Sequence, residues 1–184
     1  MLKRIVSPEN SVFSLQLRQD LFTLAQMRRD HIMQFFDLRR EKNEWDGIDL
    51  NNEKPLFFIV VAAKRFKGLL LEKIGVDRVI PSHAPVPMIM LNAVVGNTGI
   101  HSANLIELNP DFSDIDAKVI KANLTIDRDV DLIYKHEFTG MLGDPEKLRR
   151  RLLRYFDTGV NWDESKEFLF KGIEPPNARQ SLRA

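Results

Sequence analysis

SVFSLQLRQDLFTLAQMRRDHIMQFFDLRR, residues 11–40, carries the reading of the fold. In Val12 to Leu17, Phe13, Leu15 and Leu17 fall on one face and Ser14, Gln16 and Arg18 on the other, the two-residue period of a strand. Gln19-Asp20 makes a short turn. Leu21 to Met27 then puts Leu21, Thr23, Ala25 and Met27 on one face and Phe22, Leu24 and Gln26 on the other. Apolar residues on both faces predict a central strand. A third strand is expected over His31 to Leu38, carrying Ile32, Met33, Phe35 and Phe36. Together these runs predict an antiparallel meander.

Further strands follow outward from it. Residues 39–55, RREKNEWDGIDLNNEKP, read as a charged loop with an exposed Trp45. LFFIVVAA, Leu56 to Ala63, is a continuous apolar run rich in β-branched and aromatic residues, which predicts a buried strand. Lys64 to Ile74 is a basic-apolar mixture interrupted by Gly68, and Pro81, Pro85 and Pro87 punctuate a loop. Met88 to Val95, His101 to Leu108 and Lys118 to Ile126 are expected strands, with a turn at Gly96 to Gly99 and a break at Asn109-Pro110.

The clearest helix spans about residues 145–157. Asp144 is a favoured N-cap, Pro145 suits the first helical position, and Glu146 complements the positive end of the dipole. Leu148, Leu152 and Phe156 form one stripe, and Gly159 is a stop signal. NWDESKEFLFKG, from Asn161, fits either a short helix or a turn into a strand. Strands first and helix last argue an α+β fold with a predominantly antiparallel sheet, not alternating βαβ units. The expected organisation is one domain over residues 1–174, with a barrel-like meander at 11–75, the remainder at 76–174, and a flexible tail at 175–184.

Bulk properties narrow the function classes. At 184 residues the chain can bury roughly 70% of its unfolded surface. A net charge of +1 removes the global argument for a nucleic-acid binder. The absence of cysteine excludes disulfides, thiol catalysis and thiolate metal sites. MLKRIVSPENSV has no apolar stretch after Lys3 and Arg4, so no signal peptide is expected, and no run nears the ~20 residues of a membrane span.

No catalytic motif is legible. His31, His83, His101 and His136 lack metal-ligand spacing, and the sequential His136-Glu137 would point to opposite faces of a strand. Gly96 to Gly99 is too short for a phosphate-binding loop and lacks the Lys-Ser/Thr that follows one. No catalytic residue, metal or cofactor is expected.

Two charge features remain. Glu107, Asp111, Asp114, Asp116, Asp127, Asp129 and Asp131 stand against Lys118, Lys121 and Arg128. Asp127, Asp129 and Asp131 alternate and would share one strand face or loop edge. A calcium loop would need a Gly and a terminal Glu that are missing. The open readings are a solvated acidic edge and a negative surface that meets a basic partner. The second feature is the run Lys147, Arg149, Arg150, Arg151 and Arg154 on the expected helix, either a solvated face or a phosphate-contacting one.

VFSLQLRQDLFTLAQM (Val12 to Met27), FFDL (Phe35 to Leu38) and PLFFIVVA (Pro55 to Ala62) resemble the opening of a family of bacterial immunity proteins from polymorphic toxin systems. Glu9-Asn10-Ser11 stands where that family has Gly-Asp, and Lys67-Gly68-Leu69 stands in place of a Trp-Pro pair. The resemblance implies a small bent barrel of the SH3-like kind. It also implies a cytoplasmic antitoxin that neutralises a cognate toxin, a nuclease in contact-dependent growth inhibition. The expected partner is then a basic-cleft protein toxin, with no membrane and no direct nucleic acid, and the seven acids above are the expected toxin-binding residues. The alternative is a small-barrel nucleic-acid-binding accessory protein using Lys147 to Arg154.

Overall fold

The computed structural model describes residues 9–96 and 101–176. The chain divides into two compact units, residues 1–86 with 141–150 and residues 87–140 with 151–184.

The first unit is built on the opening meander. Strands β1 (Val12–Arg18), β2 (Leu21–Met27) and β3 (Ile32–Arg40) form antiparallel ladders as their alternation requires. β4 (Ile48–Asp49), β5 (Pro55–Val60), β6 (Leu70–Ile74) and β7 (Val79–Ile80) follow. The five-stranded sheet has the order β5-β3-β2-β1-β6. β2 is central and buried at every position, as two apolar faces demand. β5 and β6 are the edges, and no ladder joins them among the described residues, so the sheet is open and does not close as an SH3-like barrel. Only the end of β5 is engaged: the Ala62 N–H donates to the Leu142 carbonyl, and the Leu142 N–H donates to the Val60 carbonyl.

A bulge at Leu17 shifts the β1–β2 register between Gln16 and Arg18. The Leu17 carbonyl accepts the Arg149 Nε–H at 2.6 Å.

The segment after β3 corrects one expectation. Trp45 is not exposed but fully buried. β4 runs parallel to β7, which folds residues 39–55 back over the sheet. Trp45 thereby packs with Val12, Phe22, Leu24, Phe36, Leu50, Ile74 and Val79. Its indole N–H donates to Asn43 Oδ1 at 2.6 Å, so the ring buries its area without orphaning its donor.

In the second unit, β8 (Ile89–Val95), β9 (His101–Glu107) and β10 (Lys118–Lys121) form an antiparallel sheet of order β10-β9-β8. The expected Gly96 to Gly99 turn runs into residues 97–100, outside the described residues, as does the expected tail from residue 177. α1 (Ile126–Lys135) and α3 (Ser165–Leu169) belong to this unit; the second resolves the NWDESKEFLFKG segment as a short helix. Leu91, Ala103 and Leu105 from the sheet meet Leu124, Ile133, Phe138, Trp162, Leu169, Phe170 and Ile173 in one core.

α2 (Pro145–Thr158) begins in the first unit's residues and ends in the second's. Asp144 Oδ1 accepts the Glu146 N–H at 2.9 Å, as a cap should. Leu148, Leu152 and Phe156 are buried as one stripe. Gly159 takes φ +75°, and its N–H returns to the Tyr155 carbonyl at 2.7 Å. The expected α+β class, the predominantly antiparallel sheets and the C-terminal helix are therefore all present.

Candidate functional site

The second unit holds all seven acids singled out by the sequence, and the structure gives them different jobs. Asp127, Asp129 and Asp131 do not alternate along a strand. They lie on α1, where ~100° per residue separates them. Asp127 and Asp131, four apart, share the exposed face. Asp129 turns inward and is only 2% exposed. Its carboxylate pairs with Lys121 on β10 and accepts the Thr125 N–H at 2.9 Å. These two partners hold the Asp129 carboxyl below its ordinary value, outweighing desolvation. Asp129 therefore ties the start of α1 to β10, which removes it from any solvated surface.

Glu107, at the end of β9, faces Lys118 across the ladder at 3.9 Å. Between them runs the loop 108–117. Asn109 organises it: Oδ1 accepts the N–H groups of Asp111 (2.9 Å) and Ser113 (3.0 Å), and Nδ2 donates to the Ile115 carbonyl at 3.2 Å. The Phe112 N–H closes back on the Asn109 carbonyl at 2.9 Å. Phe112 and Asp116 adopt φ +59° and +58°, a conformation L residues rarely hold. Phe112 packs against Met90, Ile106 and Leu108, which offsets that cost. Asp114 is anchored from the other side by Asn92 Nδ2 at 3.1 Å and the Thr139 hydroxyl at 3.0 Å.

The loop is thus a knitted platform that exposes Asp111, Asp114, Ile115 and Asp116. Ile115 is 71% exposed, and Val119 (51%) and Ile120 (45%) follow on β10. Of the seven acids, Asp111, Asp114, Asp116, Asp127 and Asp131 are solvent-facing and have no basic partner within ion-pair distance among the described residues; Arg128 beside them donates its Nε–H to Thr125 Oγ1. The segment from 107 to 131 holds seven acids and three bases, so it carries four net negative charges.

A second constellation in the same unit escaped the sequence reading. Arg151 on α2 is 6% exposed and makes a two-pronged ion pair with Glu137, one contact at 2.9 Å. Its Nε–H donates to Asn161 Oδ1 at 2.7 Å. Lys166 on α3, 2% exposed, donates to the Tyr134 carbonyl at 3.3 Å and lies 5.7 Å from the centre of the Trp162 ring. Burial alone would raise the Glu137 carboxyl, but the charges of Arg151 and Lys166 prevail and hold it below the usual carboxylate range. Burial lowers Lys166. The charges are enclosed and paired, so the cluster is a clamp joining α2, α3 and the strand-like segment at 137–139.

His136 is not paired with Glu137. Its Nδ1 lies 3.1 Å from the Ile89 carbonyl, and burial lowers its pKa. Among the described residues no group of three or more His, Cys, Asp or Glu could hold a metal ion. No helix among them is long and apolar enough to cross a membrane.

The basic run on α2 is partly consumed internally. Arg149 serves the Leu17 carbonyl, Arg151 the buried Glu137, and Arg154 lies 3.4 Å from Glu164.

Fold and site together define an α+β protein with an exposed acidic platform around Ile115. Residues 2–174 match the model of the family described as "Domain of unknown function (DUF8309)", and the chain belongs to that family. No curated protein and no solved structure matches the chain.

Proposed function

We propose that this protein is a cytoplasmic immunity protein that binds a cognate toxin domain, a nuclease of a contact-dependent inhibition system, and blocks its cleft. The observation that carries the reading is the rigid loop 108–117, which presents Asp111, Asp114 and Asp116 around Ile115. A nuclease cleft must attract phosphate and is therefore positive. A fixed negative surface steers association with it and occludes it, with little ordering cost on binding. The resemblance of Val12 to Met27, Phe35 to Leu38 and Pro55 to Ala62 to immunity proteins supports the same reading. The internal use of Arg149, Arg151 and Arg154 weighs against the nucleic-acid-binding alternative.

Co-expression with a candidate toxin domain encoded by a neighbouring gene tests it, and the lack of any such gene counts against it. The wild-type chain should restore growth, and the D111K/D116K/D127K/D131K variant should not. Restoration by that variant, with unchanged affinity, refutes the acidic-surface mechanism. Direct nucleic-acid binding that falls steeply with salt would favour the alternative.

A further inference from the structure

We infer that Gln26, Gln34 and Asn51 form a slot that reads the main chain of an extended peptide. Residues 81–84 fill it as a built-in strap. When the strap lifts, an extended partner segment with a small hydroxyl residue at the enclosed position takes its place. The slot lies within the first unit and is independent of the acidic loop and of the immunity reading.

In an extended chain the N–H and C=O of one residue point to one side, and the flanking C=O and N–H point to the other. The strap is held that way by two side-chain amides standing in for two strands. On one side, Gln26 Oε1 accepts the Ser82 N–H at 2.7 Å and Gln26 Nε2 donates to the Ser82 carbonyl at 3.0 Å. On the other, Asn51 Oδ1 accepts the His83 N–H at 2.8 Å and Asn51 Nδ2 donates to the Pro81 carbonyl at 3.2 Å. Four consecutive main-chain groups are thus gripped without use of a strap side chain. Peptide sites that add a strand gain affinity from the main chain in the same way, and take specificity from pockets for single side chains.

The slot is set in advance. Gln26 and Gln34 are fully buried. Asn10 Oδ1 accepts Gln26 Nε2 at 3.0 Å, and Asp49 Oδ1 accepts Asn51 Nδ2 at 2.7 Å, which fixes the donating end of each amide. Arg28 Nη1 donates to Gln34 Oε1 at 2.6 Å and turns the Gln34 amino group toward the strap. One strap side chain is enclosed: Ser82 is 1% exposed, and its hydroxyl accepts from Gln34 Nε2 at 3.4 Å and from the Ala84 N–H at 3.2 Å. His83 is exposed. The seated strap therefore defines the chemistry of an occupant: extended main chain, a small hydroxyl residue where Ser82 sits, and tolerance where His83 sits.

The strap is also the weakly fastened part of this unit. Residues 81–86 make no backbone–backbone hydrogen bond among the described residues, whereas β1, β2 and β3 are laddered on both sides. Pro81 and Pro85 have no N–H to offer a ladder. A segment held by a few side-chain bonds opens at lower cost than the sheet beneath it.

The test uses the full chain and a synthetic peptide with the strap's own sequence, VIPSHAP, residues 79–85. In wild type, amide exchange should give Ser82 and His83 matching protection, about a hundredfold below that of Leu24 and Ala25 in β2. Excess peptide should speed exchange at Ser82 and His83 about tenfold, because it keeps the strap out of the slot. Ser82→Trp is too large for the enclosed position and should expel the strap. With a wild-type circular dichroism spectrum, S82W should bind the fluorescein-labelled peptide about tenfold more tightly than wild type, since its slot is no longer filled. Q26A/S82W should lose that gain, as should a peptide methylated on its Ser and His nitrogens, while replacing the peptide's His by Ala should leave affinity unchanged. Protection at Ser82 and His83 as strong as in β2 overturns the inference, because the strap would then be inseparable from the sheet. Exchange in wild type that excess peptide does not alter also overturns it, whether or not S82W folds. So does a folded S82W that binds the peptide no better than wild type, or binding that survives loss of Gln26.

Discussion

Replacing Glu137 by Gln keeps shape and one acceptor but deletes the carboxylate that makes the two-pronged pair with the buried Arg151. In the native protein the side chains of Arg151 and Glu137 are 7% and 13% exposed, and Lys166 lies nearby at 2% residue exposure. Two enclosed cations would then lose the counter-charge of Glu137. Breaking a buried pair by removing one partner costs about 3–5 kcal/mol, because a charge is left uncompensated. For a chain of this size each kcal/mol moves the melting temperature by about 2–4 °C, so E137Q should melt about 6–20 °C below wild type. Urea unfolding followed by circular dichroism and by tryptophan fluorescence measures the loss, since Trp162 sits in the same core. A companion variant, E137L/R151M/K166M, removes the charges together and should recover most of the stability, since apolar replacement of a buried ionic group is often neutral. Two results refute the clamp: an E137Q cost below about 1 kcal/mol, or a triple variant no better than E137Q. Either would mean that the pair is solvated in solution and behaves as a surface bridge.

Other consequences follow from the same geometry. Trp45→Ala should destabilise by about 3–5 kcal/mol, because a fully buried indole is emptied from the first unit's core; chemical denaturation measures it. Asp129 has a lowered carboxyl pKa, so its ion pair contributes stability above the unfolded value of 3.8 and loses it as pH falls through the lower folded value. An acid titration of stability below about pH 4 should therefore be shallower in D129N than in wild type, whose curve should fall toward that of the variant. Gly159→Ala places a Cβ at φ +75° with no neighbour within 4 Å, so the cost is conformational alone, about 1–2 kcal/mol by thermal melting. Asn109→Ala should release the 111–115 loop, seen as faster amide exchange at Asp111 and Ser113, and should weaken the toxin binding proposed above while Asp111, Asp114 and Asp116 remain in place.

The parts of the fold that were legible in the sequence are those whose signal is local. Strands β1 to β3, β8 and β9 announce themselves through alternation, and α2 through Asp144, Pro145 and Gly159. Trp45 was misread because its cover is the parallel pairing of Ile48–Asp49 with Val79–Ile80, a contact about thirty residues distant that no window reveals. The buried Gln26 is similar. Its amide holds the backbone of Ser82, with the Ser82 N–H donating at 2.7 Å and the Ser82 carbonyl accepting at 3.0 Å, across 56 residues.

α1 is the instructive failure. Asp127, Asp129 and Asp131 repeat every two residues and mimic a strand. Yet Ile126, Val130, Ile133 and Tyr134 recur at the helical spacing of four, seven and eight, after Thr125 in the N-cap position. The β-branched residues obscured the longer period. That misreading also put Asp129 on the surface, since on a strand the three carboxylates would face outward together. On the helix, Asp127 and Asp131 keep their exposed face while Asp129 is drawn under to Lys121. The correction moves the weight of the acidic surface from α1 to the loop before β10. There Asn109 fixes the backbone and Phe112 anchors it to Met90, Ile106 and Leu108. A surface held by its own hydrogen bonds and a partly buried ring is already ordered before any partner arrives, which lowers the cost of binding.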